Sequence, residues 1–327
     1  MSAYAHGKLY HDFRELCYPR VGSTQTGSSC CVFPSEAQSR HSLGVVCVEN
    51  GLFISQILDE RFDGFCRTAV GKGAKGRKLV AAALPSEGDT FIWDLQTGRK
   101  LLNYEGKMVT SLAFHPSENR LVFGEEGGTV VVFTFNHDEL NMNLQLALVF
   151  ETGGEYISQI RWHLRHDLLL VKFRRQSFVQ VWDAVKGLKL SEMTLPWLGQ
   201  GPYFHPKKKE LVTITLDKVI DRYDALSGSH LTRTKVQSPI LSAIHSPCGK
   251  YLLTLHVGDP VLKVWDDCTM QLVHSIQEVD GYPSEVWFCE ANNDICFVMT
   301  LTGSYRGDLL DRLYIVNFAK ERKEFER

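Results

Sequence analysis

The sequence predicts an all-β chain built from about seven copies of one four-stranded antiparallel unit. Three observations predict it. The stretch from Ser238 to Ile276 reads as four short apolar runs separated by turn residues, the signature of antiparallel β structure. Runs of strand type close on Phe53, Trp93, Phe133, Trp182, Tyr223, Trp265 and Val316, at intervals of 40, 40, 49, 41, 42 and 51 residues. A matching pair of strands around a polar turn precedes most of them, as in SLAFHPSENRLVF at Ser111, QIRWHLRHDLLLV at Gln159 and PYFHPKKKELVT at Pro202. A period of this length marks a repeat architecture, in which each unit buries its apolar face against its neighbours.

Within the best-defined unit, Ile240 to Ile244 forms the first strand and ends at Ser246-Pro247. Cys248-Gly249-Lys250 turns the chain into Tyr251 to His256. Gly258-Asp259-Pro260 turns it again, Val261 to Trp265 alternates, Asp266 and Asp267 break the run, and Gln271 to Ile276 is the fourth strand.

Trp93-Asp94, Trp182-Asp183 and Trp265-Asp266, with Tyr223-Asp224 as a weakened copy, recur in register. At these residues the sequence resembles the WD-repeat β-propeller family. The resemblance covers roughly residues 28 to 327 and implies a WD40-like β-propeller of about seven four-stranded blades. It also implies that each repeat holds the last strand of one blade and the first three of the next. The chain departs from the family pattern in three places: no glycine-histidine pair opens a repeat, Gly127-Gly128 replaces the turn aspartate in one copy, and the last copy reads Tyr314-Ile315-Val316-Asn317.

Residues 30–327 are accordingly expected to form the propeller, and residues 1–29 an N-terminal arm or a ring-closing strand. Gly7 to Leu16 suits either role, because a strand there would complete the last blade and remove exposed sheet edges. GSTQTGSS at Gly22 to Ser29 reads as a linker. The first repeat, from Cys30 to about Glu60, shows no clear fourth strand. GKGAKGRK at Gly71 to Lys78 has the glycines of a phosphate-binding loop but lacks the Gly-Lys-Ser/Thr ending and leads into the strand-like Leu79 to Leu84. A basic hairpin fits it better. The surplus of the two long intervals falls in FNHDELNMNLQ (Phe135 to Gln145), in Glu278 to Glu285 and in Thr302 to Arg312, which are expected to be longer loops.

Apolar residues make up 44% and charged residues 23% of the chain, the balance of an ordered globular protein. A formal net charge of -2 argues against a nucleic-acid binder. The nine cysteines lack the paired spacings of a zinc site and are expected to be mostly small buried groups. With no membrane-length apolar run and no signal-like start at Met1, the reading is a chain of the reducing cytoplasm, the nucleus or both.

Catalytic signatures are absent from the sequence. His115, His163, His205 and His245 fall at the same place in successive repeats, and repetition by register points to structure rather than to a metal or general base. The carboxylates after each tryptophan belong to turns. No nucleophile elbow or histidine-glutamate metal motif is present, so no cofactor is expected.

Phe173-Arg174-Arg175-Gln176 is similar to the Phe-Arg-Arg-Gly signature of phosphoinositide-binding propellers, with glutamine in place of glycine. Membrane lipid is therefore the alternative ligand, and an enzyme using a central channel is the other competing reading. The preferred reading is a non-catalytic interaction scaffold or adaptor, one subunit of a multiprotein complex whose ligands are other proteins. Turns joining first to second and third to fourth strands carry many lysines and arginines, and the opposite loops carry many carboxylates, so two faces of unlike charge are expected. The binding site is expected at the apolar loop LPWLGQGPY, Leu195 to Tyr203, on the more acidic face. Trp197, Leu198 and Tyr203 would be its anchors, with Arg174, Arg175, Tyr282, Tyr305 and Arg306 around them. The competing reading packs Trp197, Leu198 and Tyr203 between blades.

Overall fold

The computed structural model describes residues 8–12, 30–35, 42–47, 52–58, 67–73, 77–84, 88–95, 97–105, 107–137, 141–195, 198–215, 218–276, 282–288, 295–303 and 309–317, with side chains described only between 67 and 276. Every regular element among them is a β-strand. The first, β1 (Lys8–Asp12), is followed by a three-stranded sheet of β2 (Cys30–Ser35), β3 (Ser42–Cys47) and β4 (Leu52–Leu58). No fourth strand joins that sheet among the described residues.

Five four-stranded antiparallel sheets come next, each in simple meander order. They are β5 (Arg67–Lys72) to β8 (Lys100–Tyr104), by way of β6 (Lys78–Leu84) and β7 (Asp89–Asp94). The second holds β9 (Val109–Phe114), β10 (Arg120–Glu125), β11 (Thr129–His137) and β12 (Met142–Glu151). The third holds β13 (Ile157–Trp162), β14 (Leu168–Phe173), β15 (Phe178–Asp183) and β16 (Leu188–Thr194). The fourth holds β17 (Leu198–Phe204), β18 (Glu210–Thr215), β19 (Val219–Asp224) and β20 (His230–Lys235). The fifth holds β21 (Ile240–His245), β22 (Tyr251–His256), β23 (Asp259–Asp266) and β24 (Leu272–Ile276). A last sheet has β25 (Tyr282–Phe288), β26 (Ile295–Gly303) and β27 (Leu309–Asn317), and its fourth member is β1, paired antiparallel with β27.

Burial explains why the sheets stand together. The first strands are covered by their neighbours, most completely in β9, whose six residues are all buried. The fourth strands are exposed, as in β20, which presents Arg233 and Lys235 to solvent; charge on an exposed edge discourages pairing with a second chain. Each core cluster is shared by two successive sheets. Ile92 and Leu101 meet Leu112 and Phe123, Phe150 meets Trp162 and Trp182, Leu170 and Met193 meet Phe204, and Ile214 and Ile220 meet Ile240 and Leu252. The sheets therefore stack face against face in chain order. The Phe150 and Trp182 rings stack with centroids 4.5 Å apart across one of these seams, a contact worth more than its area alone.

The turn after each repeat tryptophan or tyrosine is one motif used four times. Asp94, Asp183, Asp224 and Asp266 each accept, through side-chain Oδ1, a backbone N–H from the next turn residues, for example Ser227 N–H at 2.7 Å and Thr269 N–H at 2.9 Å. Their carbonyls accept the N–H four residues on, from Gly98, Gly187, Gly228 and Met270, at 2.8 to 2.9 Å. Those four residues have positive φ, which glycine adopts without cost and Met270 (φ 53) does not.

Three expectations need correction. Leu195 to Tyr203 is not a loop: from Leu198 on it is β17, with two register shifts. Phe135 to Gln145 extends the β11–β12 hairpin, pairing Phe135 with Leu144 and His137 with Met142. Phe135 and Met142 are buried there, so apolar alternation carries the ladder past the usual turn point. Thr302 and Gly303 likewise stay paired, with Leu310 and Leu309. Of the cysteines, Cys248 and Cys268 have described side chains, the first half-buried and the second exposed.

Candidate interaction surface

Backbone hydrogen bonds string together one surface at the end of the sheets where second strands turn into third strands. Glu126 N–H donates to the Met108 carbonyl at 2.9 Å and Gly127 N–H to the Glu155 carbonyl at 2.7 Å. Glu126 also bridges Tyr156, and Arg174 N–H donates to the Tyr156 carbonyl at 2.9 Å. The links cross from the β9–β12 sheet to the β13–β16 sheet. Gly128 permits the crossing, because a side chain there would sit 1.9 Å from the Gly154 carbonyl oxygen.

The side chains on this surface are of the kind that anchor interfaces. The Arg174 guanidinium lies 5.4 Å from the centre of the half-buried Tyr156 ring, a cation–π contact. Arg174, Arg175, Glu126 and Glu155 are exposed, and Met108 is exposed beside them. Phe173, next in sequence, points inward and is 1% exposed. Exposed Glu126 and Glu155 share this end with Arg174, Arg175 and Lys107, while Arg165, Lys186, Lys207, Lys209 and Lys250 are exposed in the turns at the opposite end beside Glu118 and Asp167.

Of the eight expected site residues, the structure brings Arg174 and Arg175 to this surface. Tyr203 goes elsewhere. It is 5% exposed, packs with Val212 and Ile240, and donates its hydroxyl hydrogen to His245 Nδ1 at 3.1 Å, so the between-sheet reading holds for it. Its place on β17, with Phe204 buried beside it, makes it a core residue. Leu198 and Tyr282 lie in strands, but their own side chains are outside the described residues, and Trp197, Tyr305 and Arg306 lie outside them altogether. Met108, Glu126 and Tyr156 were missed. The pairing of an aromatic with the Gly153-Gly154 turn before it was the available signal.

The repeat-equivalent histidines are staples. His115, His163 and His205 each accept backbone N–H groups of their own turn at Nδ1, at 3.0 to 3.3 Å. At His163 and His205 this fixes the proton on Nε2, which faces the next sheet: His163 donates to the Lys208 carbonyl at 3.0 Å and His205 to Asp267 at 3.3 Å. Burial pushes the imidazoles of His115, His163 and His245 down to about 4, so they stay neutral.

Asp267 is where the donors converge. Its side chain is 0% exposed and accepts from His245 Nε2 at 2.7 Å, His205, both Arg222 Nη groups and Lys208 Nζ. Burial would raise its pKa, but the hydrogen bonds from His205, His245 and Arg222 outweigh that and hold the carboxyl far below the usual range. His205, His245 and Asp267 are close enough to chelate a metal ion. Both imidazoles, however, already present Nε2–H to the carboxylate, and Arg222 and Lys208 supply the positive charge, so the cluster is a satisfied ion network across two sheets.

Neither a comparison with models of known protein families nor one with curated proteins finds a match to this chain. Among the described residues no helix is long and apolar enough to cross a membrane.

Proposed function

We propose that the chain is a WD-repeat-type β-propeller of about seven blades that acts as a non-catalytic interaction scaffold within a multiprotein complex, in the cytoplasm, the nucleus or both. The observation that carries this reading is the run of five four-stranded sheets in identical order, each sharing its core with the next. The pairing of β1 with β27 supports ring closure, because it joins the first strand of the chain to its last. Residues 1–29 then contribute the closing strand, and residues 30–327 the remainder of the ring.

The mechanism is binding. A rigid stack of sheets holds turns from successive blades at fixed spacing, so a partner meets a preorganised surface and little ordering entropy is lost. Arg174 stacked on Tyr156 supplies a planar anchor, Met108 an apolar contact, and Glu126 and Glu155 a polar rim. The repeat histidines and Asp267 serve the scaffold, since the imidazole nitrogens and the carboxylate oxygens are committed to holding turns and seams.

The test is comparative capture from native cells with the wild-type chain and Arg174→Ala/Arg175→Ala, read by quantitative mass spectrometry alongside melting temperature. The proposal expects the variant to melt as the wild type and to lose a specific subset of partners. An unchanged partner set at unchanged stability would remove this surface from the reading.

A further inference from the structure

In the β13–β16 and β17–β20 sheets the turns from first to second and from third to fourth strands lie at one end of the molecule, where hydrogen bonds set them side by side. Ala184 N–H donates to the Asp167 carbonyl at 2.9 Å and Ala225 N–H to the Lys209 carbonyl at 2.8 Å. His163 Nε2 donates to the Lys208 carbonyl at 3.0 Å and ties the turns of one sheet to those of the next. The carboxylates of Asp183 and Asp224 cap the two third-to-fourth turns, and Gly187 and Gly228 close them at positive φ. Four turns are thus held as one preorganised surface, at the opposite end from Arg174 and Tyr156.

The side chains exposed on it are of two kinds. Arg165, Lys186, Lys207 and Lys209 are exposed cations, and none of them makes an ion pair among the described residues. The carboxylates nearby are spent within the fold: Asp183 and Asp224 on turn N–H groups, Glu118 and Asp167 on Arg120, and Glu210 on Arg222. Burial, and then the Lys209 and Arg165 charges, push the His166 imidazole below its ordinary value, so both charges are felt at one ring. Val185 and Leu226 are the second kind. Each stands two residues after its capping aspartate, and they are 60% and 39% exposed on equivalent turns of successive sheets.

We propose that this surface docks an extended acidic segment of a partner protein, whose carboxylates meet Arg165, Lys186, Lys207 and Lys209 and whose interspersed apolar side chains meet Val185 and Leu226. Charge complementarity identifies the occupant. A nucleic acid brings phosphates but no apolar side chain to cover Val185 and Leu226, and a chain of formal net charge -2 gives a polyanion no long-range attraction. A second copy of the chain, docked through the same patch about a two-fold axis, would set these cations against one another. The turns are already fixed, so the ordering cost of docking falls mainly on the segment.

The experiment measures fluorescence anisotropy of a labelled synthetic peptide that repeats Glu-Leu-Asp, titrated with the full-length chain at pH 7 and low salt. Wild type is expected to bind it saturably, more weakly as salt is raised, and to bind a peptide with serine in place of each leucine less well. Arg165→Gln/Lys209→Gln should weaken binding by about tenfold and melt as wild type, because neither side chain is paired. Lys107→Gln/Lys235→Gln removes two exposed lysines at the opposite end and should leave binding unchanged, which separates the patch from net charge. Val185→Ser/Leu226→Ser should weaken binding of the leucine peptide severalfold and leave the serine peptide as it was. If Arg165→Gln/Lys209→Gln melts lower, Lys186→Gln carries the charge test from a separate turn, with a severalfold loss expected. The docking site would be overturned by an absence of saturable binding, by equal weakening in Lys107→Gln/Lys235→Gln, or by equal affinity for the two peptides. Tighter binding of a single-stranded oligonucleotide than of the leucine peptide would also overturn it, in favour of a nucleic-acid surface.

Discussion

Asp267→Asn removes one charge and leaves the shape of the residue nearly intact, yet it should be among the most damaging single changes in the chain. The carboxylate is the common acceptor for His205, His245, Arg222 and Lys208. Lys208 is 43% exposed and returns to water when the charge is lost, so its share is small. Arg222, with a side chain 9% exposed, and the two histidines, each 1% exposed, cannot. Removing one partner of a buried pair costs about 3 to 5 kcal/mol, a large part of the roughly 5 to 15 kcal/mol that holds a domain folded. Because the donors come from the turn after β17, from β19 and from β21, the loss falls on the seam between two sheets. Urea unfolding at pH 7 should show Asp267→Asn about 3 kcal/mol or more less stable. The double variant with Arg222→Met should cost less than the sum of the singles by about 1 to 3 kcal/mol, as expected for coupled groups. A single-variant cost below about 1 kcal/mol, or strict additivity, would refute the view that this cluster joins the sheets.

Acid should loosen the same seams. His115, His163 and His245 titrate at about 4 in the folded chain against an ordinary 6.5, so the unfolded chain takes up protons first and stability falls as pH drops below 6.5. Between pH 7 and 5.5 the loss is about 1 kcal/mol per histidine, read as a lower urea midpoint; a midpoint that held or rose would contradict the buried, neutral assignment. Trp182→Ala removes the ring stacked on Phe150 and should cost about 3 to 5 kcal/mol in the same assay, whereas a cost near zero would deny the seam. Gly228→Ala puts a side chain at φ 73, 3.1 Å from Met193 Cγ, and should cost about 1 kcal/mol or more; a stabilised variant would show that the turn has another conformation. Ending the chain before Leu313 removes Leu313, Tyr314 and Ile315, three of the β27 residues that pair with β1, and size-exclusion chromatography should show aggregation; a monomer with undiminished melting cooperativity would count against the closed ring.

Local regularity was readable in the sequence, and long-range partnership was not. The four strands of the β21–β24 sheet fall where alternation and turn residues put them. The Trp-Asp pairs mark the turns that their carboxylates cap, and the register of the histidines gave their structural role. Strand β17 was hidden because Pro202 and two glycines break its alternation, and its two register shifts satisfy no simple period. The β11–β12 extension was hidden because polar Asn136, His137 and Asn143 mask the buried Phe135 and Met142. Asp267 looked like a second turn residue after Trp265, since nothing local announces that Arg222 and His205 lie across a seam from it.

The central claim, a ring closed by its own first strand, is tested most directly by amide hydrogen exchange at residues 8–12, followed by mass spectrometry. Closure predicts that Lys8 to His11 exchange as slowly as the paired residues Leu313 to Ile315 of β27, and that deleting residues 1–29 speeds exchange at those partners. Exchange of residues 8–12 at the rate of an unstructured terminus, with β27 equally protected in the presence and absence of residues 1–29, would contradict it.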